Sequence, residues 1–90
     1  MFWVSLYCDA GPIVSLGRVP FEVVASQGRI QYGIARFPVD TALSAGVVLW
    51  AALFVDRDDR VPIRAEPLHY SNPALHPGQT LNVNITLVVD

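Results

Sequence analysis

The chain has 90 residues, a formal net charge of −2 and one cysteine; hydrophobic residues make up 52% and charged residues 16%. That length fits a single domain, residues 1–90, and the six arginines (18, 29, 36, 57, 60 and 64, with no lysine) form no cationic stripe of the kind that releases counterions from nucleic acid. One cysteine cannot close an internal disulfide, so the fold does not depend on an oxidising compartment, and Cys8 is expected to be buried as a small hydrophobe. Charged residues fall well below the usual share of about 25%. A domain this small has too little interior to hide so many apolar side chains, so part of its surface is expected to be covered by a partner.

The opening MFWVSLYC has no positive segment before it and too short an apolar run for a signal peptide, so synthesis in the cytosol as a soluble chain is expected. Phe2 to Tyr7 reads as the first strand, and Asp9-Ala-Gly-Pro12 has turn chemistry. A second strand is expected near Arg18 to Val24, with Pro20 at an edge or bulge position. Ser26-Gln-Gly28 turns the chain into a third strand, Arg29 to Phe37, with Ile30, Tyr32 and Ile34 on one face. Residues 39–46 form a loop. The fourth strand, Val47 to Val55, is apolar on both sides, which predicts a central strand covered on both faces. The stretch is too short to span a membrane as a helix. VDRDDR makes a polar hairpin turn, and Val61 to Glu66 returns as a fifth strand. Leu68 to Gln79 is a longer loop rich in proline, asparagine and histidine. The last strand alternates strictly, with Leu81, Val83, Ile85, Leu87 and Val89 set between Thr80, Asn82, Asn84 and Thr86. Seven prolines leave little room for a helix. The expected architecture is all-β: a small antiparallel β-sandwich of about six strands with no substantial helix.

No chemistry-bearing constellation emerges. Asp56, Asp58 and Asp59 lack the glycine and terminal glutamate of a calcium loop, and Arg57 and Arg60 oppose a cation, so a solvated turn is expected. His69 and His76 alone leave a transition-metal sphere incomplete. The serines lie in no nucleophile elbow, Gly11 and Gly17 form no phosphate cradle, and the remaining acids are scattered. Asn84-Ile85-Thr86 fits a glycosylation acceptor pattern but is more simply the polar face of a strand. No catalytic residue, cofactor site or metal site is assigned, and the chain is not expected to be an enzyme. Among Trp3, Tyr7, Tyr32, Trp50 and Tyr70, most are expected in the core. Trp50 and Phe54 share a face that must meet either the second sheet or a neighbouring subunit. Tyr70, Pro73, Leu75 and His76 are the other expected contact residues, with Leu75 as the anchor, because a polar-aromatic loop resembles interface composition.

Four pieces in order resemble a family, the small virion proteins of tailed bacteriophages often labelled tail-fibre-like. They are FWVSLYCDAGP; GRVPFEV followed by IQYGIARFPVDT; VVLWAALFVD; and PLHYSNPALHPGQTLNV leading into ITLVVD. Members of that family carry a helical segment before the first strand, whereas this chain opens on the strand. The resemblance implies a virion structural protein made in the cytoplasm of a bacterial host. Taken with the apolar excess, it implies a capsid decoration or cement subunit that bridges capsomers, working as a homo-oligomer such as a trimer on the major capsid protein. The alternative it implies is a tail-fibre or baseplate component that binds the host surface among tail proteins. Neither role involves nucleic acid or membrane as a partner.

Overall fold

The structure is a computed structural model and describes residues 1–9, 13–68 and 73–88. It is all-β, with seven strands in two antiparallel sheets: β1 (Trp3–Asp9), β2 (Ile13–Pro20), β3 (Glu22–Gln27), β4 (Ile30–Pro38), β5 (Leu49–Phe54), β6 (Arg64–Pro67) and β7 (Thr80–Val88). One sheet has the order β2-β1-β5-β6 and the other β3-β4-β7. No described helix is long and apolar enough to cross a membrane.

The two sheets meet across one core. Alternation sends Val4, Leu6 and Cys8 of β1 and Leu49, Ala51 and Leu53 of β5 inward, where they meet Ala35 and Phe37 of β4 and Val83, Ile85 and Leu87 of β7. Cys8 is fully buried among them, as expected of the single cysteine. The final strand follows its sequence pattern: Val83, Ile85 and Leu87 are buried and Asn82, Asn84 and Thr86 exposed. β5 is central, flanked by β1 and β6.

The expected second strand is in fact two. β2 already runs from Ile13 and pairs with β1, whereas β3 belongs to the other sheet and pairs with β4. The handover occurs at Pro20-Phe21. Proline has no N–H for a ladder, and Phe21 turns inward as a core residue while its own N–H donates to the Phe2 carbonyl at 2.8 Å. Its ring lies where a Cβ on Gly33 would stand, and the Glu22 carbonyl oxygen is 2.7 Å from that same point. Gly33 is therefore the notch in β4 that admits the crossover. β4 bears out the expectation that Ile30, Tyr32 and Ile34 lie together on one side. That side is the outer one, and the buried face is Gly33, Ala35 and Phe37.

β3 and β4 join through a two-residue loop, Gly28-Arg29, with Gly28 at φ 60°. A glycine in the left-handed region at the first loop position is what a tight right-twisted hairpin requires. The loops before β5 and before β7 close one end of the core. Leu43 and Leu75 exchange both backbone hydrogen bonds, at 3.0 and 2.9 Å, and Gly78 N–H donates to Val39 at 2.9 Å.

Candidate functional site: the outer face of the four-stranded sheet

On the side of the four-stranded sheet facing away from the core, apolar groups remain uncovered. The period of two puts Trp3, Ser5 and Tyr7 of β1 and Trp50, Ala52 and Phe54 of β5 on this side. Register sets Trp3 opposite Phe54, Ser5 opposite Ala52 and Tyr7 opposite Trp50. β6 continues the row, with Ala65 opposite Ala52 and Pro67 opposite Trp50.

Part of this face has a roof, built around Arg18 of β2. Its guanidinium carbon lies 3.6 Å from the Phe54 ring centroid. Its Nε donates to Ser5 Oγ at 2.7 Å, and its Nη1 donates to the carbonyls of Arg57 and Asp59 at 2.6 and 2.8 Å. The planar fork thus covers an aromatic ring, satisfies a buried hydroxyl and ties down the turn between β5 and β6 in one placement. The turn adds its own bonds: Asp56 N–H donates to Asp59 Oδ2 at 3.1 Å, and Asp59 N–H to the Asp56 carbonyl at 3.2 Å. Arg57 and Asp58 form an open ion pair at 3.5 Å. As a result Ser5 and Phe54, although on the outer side, are each only 2% exposed.

Beyond the roof the face is open. Among the described residues Tyr7, Ile13, Trp50, Pro62 and Ala65 line an open cavity of about 450 Å³, together with Ala52, Phe54 and the cationic Arg60. Ile13 is 73% and Trp50 42% exposed. Chemically this is an aromatic and aliphatic surface with a cation beside it. Among the described residues, no group of three or more His, Cys, Asp or Glu side chains could hold a metal ion.

The five described residues among the six expected contacts do not form one site. Trp50 lines the cavity, and Phe54, on the same face, is sealed beneath Arg18. The expectation that β5 is covered on both faces therefore holds at Ala52 and Phe54 and fails at Trp50. At Phe54 the cover is the Arg18 side chain, and among the described residues no further sheet lies on that face. Leu75 lies on the other side of the sheet, in the core and only 5% exposed, so it is a plug held by its bridge to Leu43 and not a protruding anchor. Pro73 and His76 are exposed, with His76 N–H donating to Gln79 Oε1 at 2.7 Å. Tyr70, like His69, lies outside the described residues.

The sequence alone does not mark Tyr7, Ile13, Arg18, Pro62 or Ala65 as residues of this face. The alternation of β1 already placed Tyr7 on one side with Trp3. Without the β1–β5 register, nothing in the sequence links it to Trp50. No protein-family model, curated protein or solved structure matches this chain.

Proposed function

We propose that this protein is an adhesive structural subunit of a tailed-bacteriophage virion, a head decoration protein that binds the capsid surface through the open outer face of its four-stranded sheet. The observation that supports this reading is the cavity at Tyr7, Ile13, Trp50 and Pro62, where aromatic and aliphatic side chains stay in water beside a rigidly tied turn. Burying apolar surface is the main driving force of association, and aromatic residues are the usual anchors of an interface. A stable contact needs about 1,000 Å² or more of total buried area. The cavity therefore serves as the centre of a footprint that extends over the neighbouring turn. The virion setting rests on the family resemblance of the sequence.

A tail-fibre or baseplate role is the second reading, favoured by the direct cross-strand pairing of Tyr7 and Trp50 beside Arg60. Such a shelf suits stacking against a flat ring of a host-surface ligand.

Location on intact particles by cryo-electron microscopy separates the two, and co-sedimentation with expanded, undecorated capsids tests the first. Trp50→Asp should abolish capsid binding while leaving the fold intact. Wild-type protein that fails to bind such capsids, or density on the tail alone, overturns the decoration reading.

A further inference from the structure

We infer that two copies of this chain associate by antiparallel pairing of their β7 strands about a twofold axis at Val83, joining the two three-stranded sheets into one; this stands independently of the virion reading. Among the described residues β7 is an edge strand, paired only with β4. Its register with β4 is unbroken from Thr80 to Val88, and the bond from Val39 N–H to the Gln79 carbonyl at 2.8 Å fixes its phase. In an antiparallel ladder the direction of the backbone polar groups alternates residue by residue. Leu81, Val83, Ile85 and Leu87 therefore turn theirs toward β4, while Thr80, Asn82, Asn84, Thr86 and Val88 turn theirs outward. The Thr86 carbonyl confirms this phase by accepting from Arg64 Nη1 at 3.1 Å across the open side of the sandwich. Among the described residues, no hydrogen bond to the outward backbone groups of Asn82 or Asn84 is present.

An exposed edge of this kind is normally blunted, and the other three are. β2 carries a register shift, Gly17 at φ 107° and Pro20. β3 carries a register shift and the Glu22–Arg36 ion pair at 3.1 Å. β6 has only four residues, two of them charged and one of them proline. β7 has nine residues with no charge, proline or bulge.

What selects a second copy as the occupant is the sequence of the strand. Thr80-Leu-Asn-Val-Asn-Ile-Thr86 reads nearly the same in both directions about Val83. Antiparallel pairing about that point sets Thr80 opposite Thr86 and Asn82 opposite Asn84 of the other copy. These are the residues whose backbone groups point outward, so each pair can exchange two hydrogen bonds. On the polar face this aligns amide with amide and hydroxyl with hydroxyl. On the inner face Leu81 meets Ile85 and Val83 meets its own counterpart. A twofold interface must be self-complementary, and a near-palindromic strand supplies that property. The carbonyl of Thr86 has two lone pairs, so Arg64 and a partner N–H can share it.

The test is sedimentation velocity on the wild-type chain from low to high micromolar concentration, with Asn84→Pro as the first variant. Proline at 84 deletes one outward N–H and leaves the bonds to β4 in place. The expected result is a wild-type dimer and an Asn84→Pro monomer with an unchanged β circular-dichroism spectrum. Should that variant fail to fold, Asn82→Lys with Asn84→Lys replaces it, because it sets like charges opposite each other and alters only exposed side chains. Oxidising a mixture of Asn82→Cys and Asn84→Cys chains should cross-link the two variants to each other in preference to themselves. A wild-type monomer throughout the range, a trimer or other odd-numbered assembly, a dimer that the folded variants leave intact, or preferred self-cross-linking of Asn84→Cys overturns the inference.

Discussion

Replacing Arg18 by alanine should be the most damaging change available at a residue that is not in the core. The side chain donates three hydrogen bonds, to Ser5 Oγ and to the carbonyls of Arg57 and Asp59, and lies 3.6 Å over the Phe54 ring. A hydrogen bond involving a charged group contributes about 1.5–3 kcal/mol and a cation–π contact about 0.5–2 kcal/mol. These do not simply add, because Arg18 is partly solvated and water replaces it at the exposed Arg57 carbonyl. A net loss of about 2–3 kcal/mol is expected, of which uncovering Phe54 is a part. At about 4–8 °C per kcal/mol for a domain of this size, the melting midpoint should fall by roughly 10–20 °C. Urea unfolding read by tryptophan fluorescence measures the free-energy change directly. Arg18→Lys should recover little, since a point charge cannot serve the ring, the hydroxyl and two carbonyls together. Trypsin should nick the variant faster after Arg57 and Arg60 as the turn lifts. An Arg18→Ala protein within about 0.5 kcal/mol of wild type, the range of an ordinary surface change, would refute the role given to this roof.

Gly33→Ala should destabilise by about 1–3 kcal/mol through overpacking against the Phe21 ring and the Glu22 carbonyl; Phe21→Leu added to it should restore part of that loss, as judged by urea midpoints. Leu75→Ala should cost about 2–5 kcal/mol, a core value, and hydrogen exchange should show the backbone bonds between Leu43 and Leu75 opening first. Trp50→Ala should change stability by less than about 1 kcal/mol because the ring is 42% exposed, so any loss of capsid binding would be separable from unfolding. The Cys8 thiol, fully buried, should react with a thiol reagent only at the rate of unfolding, so labelling with and without urea checks the core assignment.

Much of the architecture was legible because alternation is a local property. The pattern from Leu81 to Leu87 marks a strand with one wet side whatever it pairs with, and the prolines remove helices wherever they fall. What was not legible depends on pairing. Arg18 to Val24 looks like one strand because both halves are β-prone. Only the inward turn of Phe21 into the notch at Gly33 reveals that the chain changes sheets there. Alternation puts Ile30, Tyr32 and Ile34 on one face of β4 but does not say which side of the sheet that is; Ala35 and Phe37 fill the core from the other. The open cavity gathers residues from β1, β2, β5, β6 and the turn after β5, with register alone bringing Tyr7 to Trp50. Leu75 could be judged apolar from sequence but not plugged, since its partner Leu43 lies in a different loop.

The order of strands has a consequence for biosynthesis. Each sheet draws on both halves of the chain: β1 and β2 wait for β5 and β6, and β3 and β4 wait for β7. Neither half can therefore complete its sheets by itself, and a nascent polypeptide emerging from the ribosome carries two unfinished hairpins until β5, β6 and β7 arrive. Two fragments divided in the loop at 39–46 should accordingly be unstructured when separate and should regain the native spectrum on mixing.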